Sequence, residues 1–410
     1  MKQVSISVIG AGNRGYEAYG KLLHGRKDVK VVAVAEPDAV KRERFSVEHG
    51  VAKENQFSTW WELLSKDRLS DGLIIATPDK IHVEPAIVAA RKGYTVLLEK
   101  PIAQEPEAIL KMLQIPQVRE RVTIAHVLRY TPFFTRVKSL LEEGAIGNLI
   151  GIEHVERIGF YHFAHSYVRG NWRKKNDSGP TILTKSCHDA DILHWLIGEK
   201  CEKVISLGKL YHFKSKNKPK EAADRCLDCS LKDSCPYSAT RIYLTENTGW
   251  PVSVITTDLS TEGKLKALRE GPYGRCVYAS DNDVVDHQVT MFHFKNGVIA
   301  NFTMTAFSDD ITRHIRIRGS HGEIFGDLDK GYIELSIFGN TKKVIPVEVK
   351  GGHSGGDEGL IEEFVALLKG EKERLTTAFE DSVHSHMMAF AAEKSRVKGG
   401  VVVPVTEALI

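Results

Sequence analysis

The chain has no run of eighteen consecutive apolar residues, so no segment of it reads as a transmembrane helix. It also lacks an excess of charge of either sign: 56 Lys and Arg stand against 53 Asp and Glu, a formal net charge of +3. That balance provides no field to gather nucleic acid or an anionic membrane, and neither is an expected partner. Cysteine is scarce, six in 410 residues, too few for a disulfide framework. The opening stretch MKQVSISVIGAG enters an apolar strand at once, without the apolar region and cleavage site of a secretory leader. A cytoplasmic protein is therefore expected. Internal repeats and low-complexity segments are absent as well. What remains is ordinary globular material, 42% apolar and 27% charged, with length for two or three domains.

The first third alternates. VSISVIGAGNRG is a strand running into a glycine turn, and YEAYGKLLHG follows with helical spacing. VKVVAVAEP, GLIIATP, YTVLLEKP and VTIAH read as further buried strands, separated by helices over 38–49, within HVEPAIVAARKG and near 105–114. Strands alternating with helices predict a doubly wound parallel sheet over residues 1–127. Beyond residue 128 the pattern changes to alternating strands and hairpin turns such as KNG and GSHG. A second α/β domain over 128–410 is expected, with a large, mostly antiparallel open sheet, a Cys-rich insertion at about 210–240 and C-terminal helices.

Gly10, Gly12 and Gly15 form G-x-G-x-x-G between a strand and a helix. The first Gly makes the turn, the second admits a pyrophosphate and the third permits close packing. Asn13 and Arg14 lie inside this turn, where helix amides would face the phosphates. Glu36 ends the second strand, where a carboxylate binds ribose hydroxyls and repels a 2′-phosphate. NAD is expected rather than NADP, although Lys41, Arg42 and Arg44 lie close by. Glu99, Lys100 and Pro101 leave the carboxyl end of a later strand, which is the ligand side of an open sheet. A Lys enclosed there can polarise a hydroxyl or carbonyl.

GAGNRG, Glu36, ATPDKIH and EKP together resemble the Gfo/Idh/MocA oxidoreductases, the glucose–fructose oxidoreductase and inositol dehydrogenase group. RYTPFF, GAIGNL, GNWR, CHDADILHWL and AFEDSVHSHMMAFAAEKS extend the resemblance over nearly the whole chain. It implies hydride transfer between nicotinamide and a sugar or cyclitol hydroxyl. It also implies a homo-oligomer, dimer or tetramer, formed through the C-terminal sheet. Lys100 matches the lysine that contacts substrate and cofactor; Thr77, Pro78 and His82 match the segment beside the cofactor. His188 matches the active-site histidine. Where the inositol dehydrogenase pattern has an Asp four residues earlier, this chain has Thr184, followed by Lys185.

The residues themselves support His188. A helix is expected from about Cys187, with His188, Asp191 and Trp195 on one face. Asp191 could hold the imidazole, and a held His can take a proton while hydride leaves. Lys185 joins Lys100, His188 and Asp191 in the expected catalytic set. HFAHSYVRGNWRK supplies His162, His165, Tyr167, Arg169 and Trp172, polar groups beside an aromatic platform that suit a sugar. Asp281, Asp283, Asp286, His287 and His353 are further polar candidates.

Cys226-x2-Cys229-x5-Cys235 has the spacing of half a zinc knuckle. A structural zinc is expected, with Cys276 as fourth ligand and His212 as the second choice. Two other functions fit the same chain: a glycosidase that uses NAD for transient oxidation and elimination, and a non-catalytic nucleotide-sensing regulator.

Overall fold

The computed structural model describes residues 3–340 and 342–406. The N-terminal strands are β1 (Val4–Ile9), β2 (Val29–Ala35), β3 (Gln56–Phe57), β4 (Gly72–Ile75), β5 (Thr95–Leu98) and β6 (Val122–Ile124). They form one parallel sheet in the order β3-β2-β1-β4-β5-β6. The strand order reverses between β1 and β4, which opens a crevice at the carboxyl ends of these two strands. The strands are buried on both faces, as their unbroken apolar runs require. The helix after the glycine turn departs from regular α geometry: Asn13–Gly20 winds as a wider π-helix, with a single α turn at Lys21–Leu23.

The second sheet contains β7 (Leu149–Arg157), β8 (Cys201–Lys209), β9 (His287–Phe294), β10 (Ile299–Thr305), β11 (Thr312–Gly319), β12 (Gly322–Asp327), β13 (Tyr332–Ile337), β14 (Lys342–Pro346) and β15 (Val403–Pro404). Its order is β14-β13-β12-β11-β7-β10-β9-β8-β15, antiparallel except for the parallel pair β7 and β10. Helices Cys187–Ile197 and Phe379–Val397 pack together on one face, and the second of them also lies against β8. Leu207, Val289, Met291 and Ile299 remain exposed, as alternation along half-buried strands dictates.

Sequence order and spatial grouping part at residue 356. Helix Gly356–Lys369 returns to the first sheet, and its Leu360, Ile361, Phe364 and Val365 join the core built by Val4, Ile6, Val8 and Ile74. The approach is close. A Cβ on Gly72 at the start of β4 would lie 2.6 Å from Leu368 Cδ1 and 3.1 Å from Phe364 Cζ. The unit built on the parallel sheet is thus completed by chain that follows the second sheet in sequence. Phe364→Ala is expected to cost about 3–5 kcal/mol. In urea denaturation this should appear as a lower midpoint for the unfolding of the N-terminal sheet.

Candidate active site

The glycine turn sits at the end of β1. Gly10 has φ +91°, and a Cβ there would meet Ala76 O at 2.6 Å. A Cβ on Gly15 would lie 1.8 Å from Gly10 O, whereas nothing stands within 4 Å of the Cβ position of Gly12. The first and third glycines therefore serve packing, and the second leaves backbone open to a ligand. Glu36, at the end of β2, accepts from Ala11 N at 2.7 Å through Oε2 and from Asp38 N at 3.0 Å through Oε1. Its carboxylate is held over the turn. Arg14 is directed differently from the sequence expectation. Its Nε donates to Glu99 Oε1 at 2.6 Å, and its Nη2 donates to Asp357 Oδ1 and the Tyr19 hydroxyl, both at 2.7 Å. Arg14 and Glu99 are thus spent on each other beneath the loop. Burial pushes the Glu99 carboxyl up, but the Arg14 and Lys100 charges outweigh it and hold it below its ordinary range.

The loop after β4 is pinned to the loop after β5. His82 places Nδ1 2.7 Å from Pro101 O and Nε2 3.0 Å from Thr77 O. Thr77 Oγ1 donates to Ile81 O at 2.7 Å, and Pro78 lies between, exposed. Lys100 Nζ donates to Thr184 O at 2.8 Å and lies 6.0 Å from the Trp172 ring. Trp172 Nε1 donates to Asp79 Oδ2 at 3.0 Å. Burial pushes the Asp79 carboxyl above its ordinary range, against the pull of His82 and Lys100. Asp79 was missed in the sequence, although it stands inside ATPDKIH between two residues that were singled out.

Helix Cys187–Ile197 begins where expected, with His188 in its first turn. The His188 ring is 5% exposed, its Nδ1 is buried without a partner, and it packs against His126 at 5.6 Å and His353 at 6.2 Å between ring centroids. Burial lowers its pKa well below the ordinary imidazole value, and the charge of Lys100 lowers it further. Asp191 does not orient it. Arg129 takes that carboxylate in a bidentate pair, Nε to Oδ2 at 2.7 Å and Nη2 to Oδ1 at 2.6 Å, with both side chains buried. The i,i+3 spacing was right for a contact, but an arginine 62 residues away in sequence competes better. Lys185 lies 3.5 Å from Glu156 Oε1, an oxygen that Arg313 Nη2 also holds at 2.7 Å. Beside them Asp189 binds Arg313 Nε and His154 Nε2, both at 2.7 Å. Burial and the Asp189 charge push the Glu156 carboxyl up, and burial pushes the Lys185 ammonium down. Cys187 is buried, and its thiol is pushed up to about 12 by that burial, which keeps it a thiol.

His353 reaches this cluster from the glycine loop. It and Ser354 carry φ +46° and +56°, and its Nδ1 lies 3.0 Å from Asp357 Oδ2. Two non-glycine residues in the left-handed region store strain in a loop that borders the site.

The run 162–172 divides. His162 lies within the fields of Lys185 and His353. Tyr167 stacks between Phe163 and Trp172, at 5.2 and 6.0 Å. His165 and Arg169 turn away, contrary to expectation. His165 is buried with Nδ1 2.9 Å from the Tyr243 hydroxyl. Arg169 is buried, donating to Arg275 O and Tyr237 O, each at 2.7 Å. Asp281 is taken by Arg173 and Arg275, Asp283 by the Lys175 amide, and Asp286 by the Tyr211 and His212 amides and by His287, so this acidic run builds loops.

Cys226, Cys229, Cys235 and Cys276 all border one cavity of about 30 Å³. They are free thiols, and among the described residues no group of three or more His, Cys, Asp or Glu is arranged to hold a metal ion. The structural zinc expectation is corrected accordingly. Arg169 Nη2 stands 3.5 Å from Cys226 Sγ, a fixed positive charge where a cation would have to approach. His212 is bonded instead to the Tyr278 hydroxyl at 3.0 Å.

The GFO_IDH_MocA family, described as an oxidoreductase family with an NAD-binding Rossmann fold, matches residues 4–126, and its C-terminal alpha/beta domain matches residues 138–405. The chain belongs to this oxidoreductase family. The Bacillus subtilis (strain 168) protein YteT is 24% identical over 311 residues, 72% of this chain and 71% of YteT. Inositol 2-dehydrogenase of Corynebacterium glutamicum (strain R) is 23% identical over 211 residues, 50% of this chain and 57% of that protein. YteT apart, the chain spans about half the length of the curated relatives it matches. Among solved structures, levoglucosan dehydrogenase in complex with NADH and levoglucosan shares the fold, with a TM-score of 0.72, 18% identity and coverage of 98% of this chain and 100% of that one. No described helix is long and apolar enough to cross a membrane.

For this Gfo/Idh/MocA oxidoreductase, Asp191→Ala should act on stability. It leaves Arg129 buried without its carboxylate, which costs about 3–5 kcal/mol. Equilibrium denaturation should show that loss, and the His188 ring should titrate as before.

Proposed function

We propose that this protein oxidises a hydroxyl carbon of a sugar, cyclitol or sugar derivative, with NAD as the hydride acceptor. The observation that carries this reading is the 2.8 Å bond from Lys100 Nζ to Thr184 O, which brings the carboxyl end of β5 to the helix start bearing His188. Ligands of open α/β sheets sit at that end. The residues present fit NAD. Backbone at Gly12 is open, and the Glu36 carboxylate at the end of β2 suits ribose hydroxyls and disfavours a 2′-phosphate. The names of the inositol and levoglucosan dehydrogenases point to polyol substrates in this family.

Bound NAD supplies the carbon that accepts hydride. Lys100 gives one ammonium proton to the Thr184 carbonyl and keeps two for the substrate oxygen, where it stabilises developing negative charge. His188, held neutral by burial, takes the hydroxyl proton. The balance closes within the site: the C–H pair leaves as hydride, the O–H proton goes to the imidazole, and a carbonyl forms. Trp172 and Tyr167 wall the Lys100 side and limit water.

His188→Ala and Lys100→Met should each lower kcat by roughly 10²–10⁴ on a sugar or cyclitol that the wild-type protein oxidises. His188→Ala should leave NAD affinity within a few-fold in calorimetry. Full turnover by both folded variants would sink the assignment.

The imidazole also gives a pH prediction. Because its folded-state pKa is depressed, His188 is neutral at pH 7 and charges only on strong acidification. Lys100→Met removes the leading charge that depresses it, so its titration should move up toward the ordinary value of about 6.5, with burial keeping it short of that value. Ring proton shifts in NMR, assigned by difference from His188→Gln, measure this without relying on turnover.

A further inference from the structure

In the proposed oxidation the substrate proton ends on His188, an imidazole that is 5% exposed and that burial disposes to stay neutral. Each turnover therefore needs a route by which that proton reaches solvent. Among the described residues two rings pack against His188, those of His126 and His353. They lead in opposite directions. His126 is fully buried, and the next ring beyond it, His386, is a closed end. His386 Nε2 accepts from the Ile102 amide at 3.0 Å, its Nδ1 lies 2.7 Å from Ser382 O, and the residue is itself fully buried. A proton passed along that row would meet no water.

His353 leads outward. Its ring lies 6.2 Å from that of His188, too far for a direct bond and within the span of one bridging water. Its side chain is 41% exposed. Its tautomer is set from the other side of the ring. Asp357 Oδ2 lies 3.0 Å from His353 Nδ1 and also accepts from Arg14 Nη1 at 3.1 Å. Burial opposes ionisation of that carboxyl, but the Arg14 charge outweighs it and holds the group ionised. An ionised carboxylate can only accept, so His353 Nδ1 carries the proton and Nε2 presents its lone pair. Arg14 Nη1 also stands 3.4 Å from His353 Nδ1, a longer and weaker contact than that with the carboxylate. The backbone fixes the ring as well: His353 and Ser354 carry φ +46° and +56° between two glycine pairs, a conformation kept only where the surroundings impose it.

We propose that His353 is the proton-release group of this site. The proton on His188 passes to one water, that water gives one of its own protons to His353 Nε2, and His353 gives a proton to a buffer base in solvent. Only N–H and O–H bonds exchange, and one proton leaves the site for each hydride transferred. The use of this path in turnover rests on the oxidation reading; the path itself does not.

The test uses the full-length, NAD-loaded protein and His353→Asn, which tolerates the positive φ and keeps an amide beside Asp357 but has no Nε2. His353→Gly, which suits the same backbone, should behave alike. Exchange of the His188 ring N–H with solvent, read by NMR on protein carrying isotope-labelled histidine, should slow about tenfold or more in both variants. Added imidazole buffer should restore it. On a sugar or cyclitol that the wild-type protein oxidises, kcat of the variants should fall about tenfold or more in dilute buffer. It should recover as imidazole is raised at fixed pH and ionic strength, with KM unchanged. Unchanged exchange in the variants overturns the inference. So does a loss of turnover that added buffer leaves untouched, which would make His353 a structural contact. Because exchange is read without substrate, slowed exchange in a protein that oxidises no sugar keeps the path and refutes the oxidation, whereas wild-type turnover with unchanged exchange does the reverse.

Discussion

The Arg14 guanidinium is the constraint on which the rest of the site depends. It joins three pieces of chain that are remote in sequence: the glycine turn, the end of β5 through Glu99, and the start of helix Gly356–Lys369 through Asp357. Taking these ions out of water costs several kcal/mol for each, and the cost is offset only while every charge keeps its partner. Tyr19 completes the set, accepting from Arg14 and donating to Glu99 at 2.5 Å. The same Asp357 holds His353, so the loop that borders the substrate side is fastened to the loop that would hold the cofactor. Neither can shift alone without stranding a buried charge.

Around that anchor three imidazoles are kept neutral. His188, His126 and His386 form a packed row with His126 in the middle, at 5.6 and 5.4 Å between neighbouring rings, and burial lowers the pKa of each. The nearest carboxylate in that row, Asp191, is already neutralised by Arg129. The backbone carbonyl of Thr184 orients the Lys100 ammonium with one hydrogen bond and adds no net charge. The Thr184 side chain donates to Pro180 O, so the contact with Lys100 does not depend on which side chain stands at 184.

What could be read from the sequence was local. The glycine turn, Glu36, the alternation of strands and helices, and the helix start at Cys187 follow from residues within a few turns of one another. The departures share one cause, a partner supplied from far along the chain. Arg129 takes Asp191 from the imidazole, Glu99 and Asp357 take Arg14 from the phosphate side, and Arg313 ties up Glu156 and Asp189 below Lys185. Spacing along a helix shows which residues are able to meet; it carries no information about a stronger competitor on another element. Asp79 was invisible for the opposite reason. Its raised carboxyl comes from burial that only the folded loop creates.

The segment 162–172 shows how one stretch can serve two neighbourhoods. His165 and Arg169, one helical turn apart, meet Tyr243 and Tyr237, whereas Tyr167 stacks on Trp172, whose ring lies near Lys100. Among the described residues Arg169 has no carboxylate partner; its charge is met by two carbonyl oxygens and the edge of a thiol, and its Nη1 has no hydrogen-bond partner. Such a charge is stable only if those carbonyls stay in place, so the buried guanidinium and the fold of the loops that carry Tyr237 and Arg275 require each other. The two carbonyls belong to the stretch that also carries Cys226, Cys235 and Cys276, so this guanidinium ties the helical run Ala164–Arg169 to the cysteine-bearing loops.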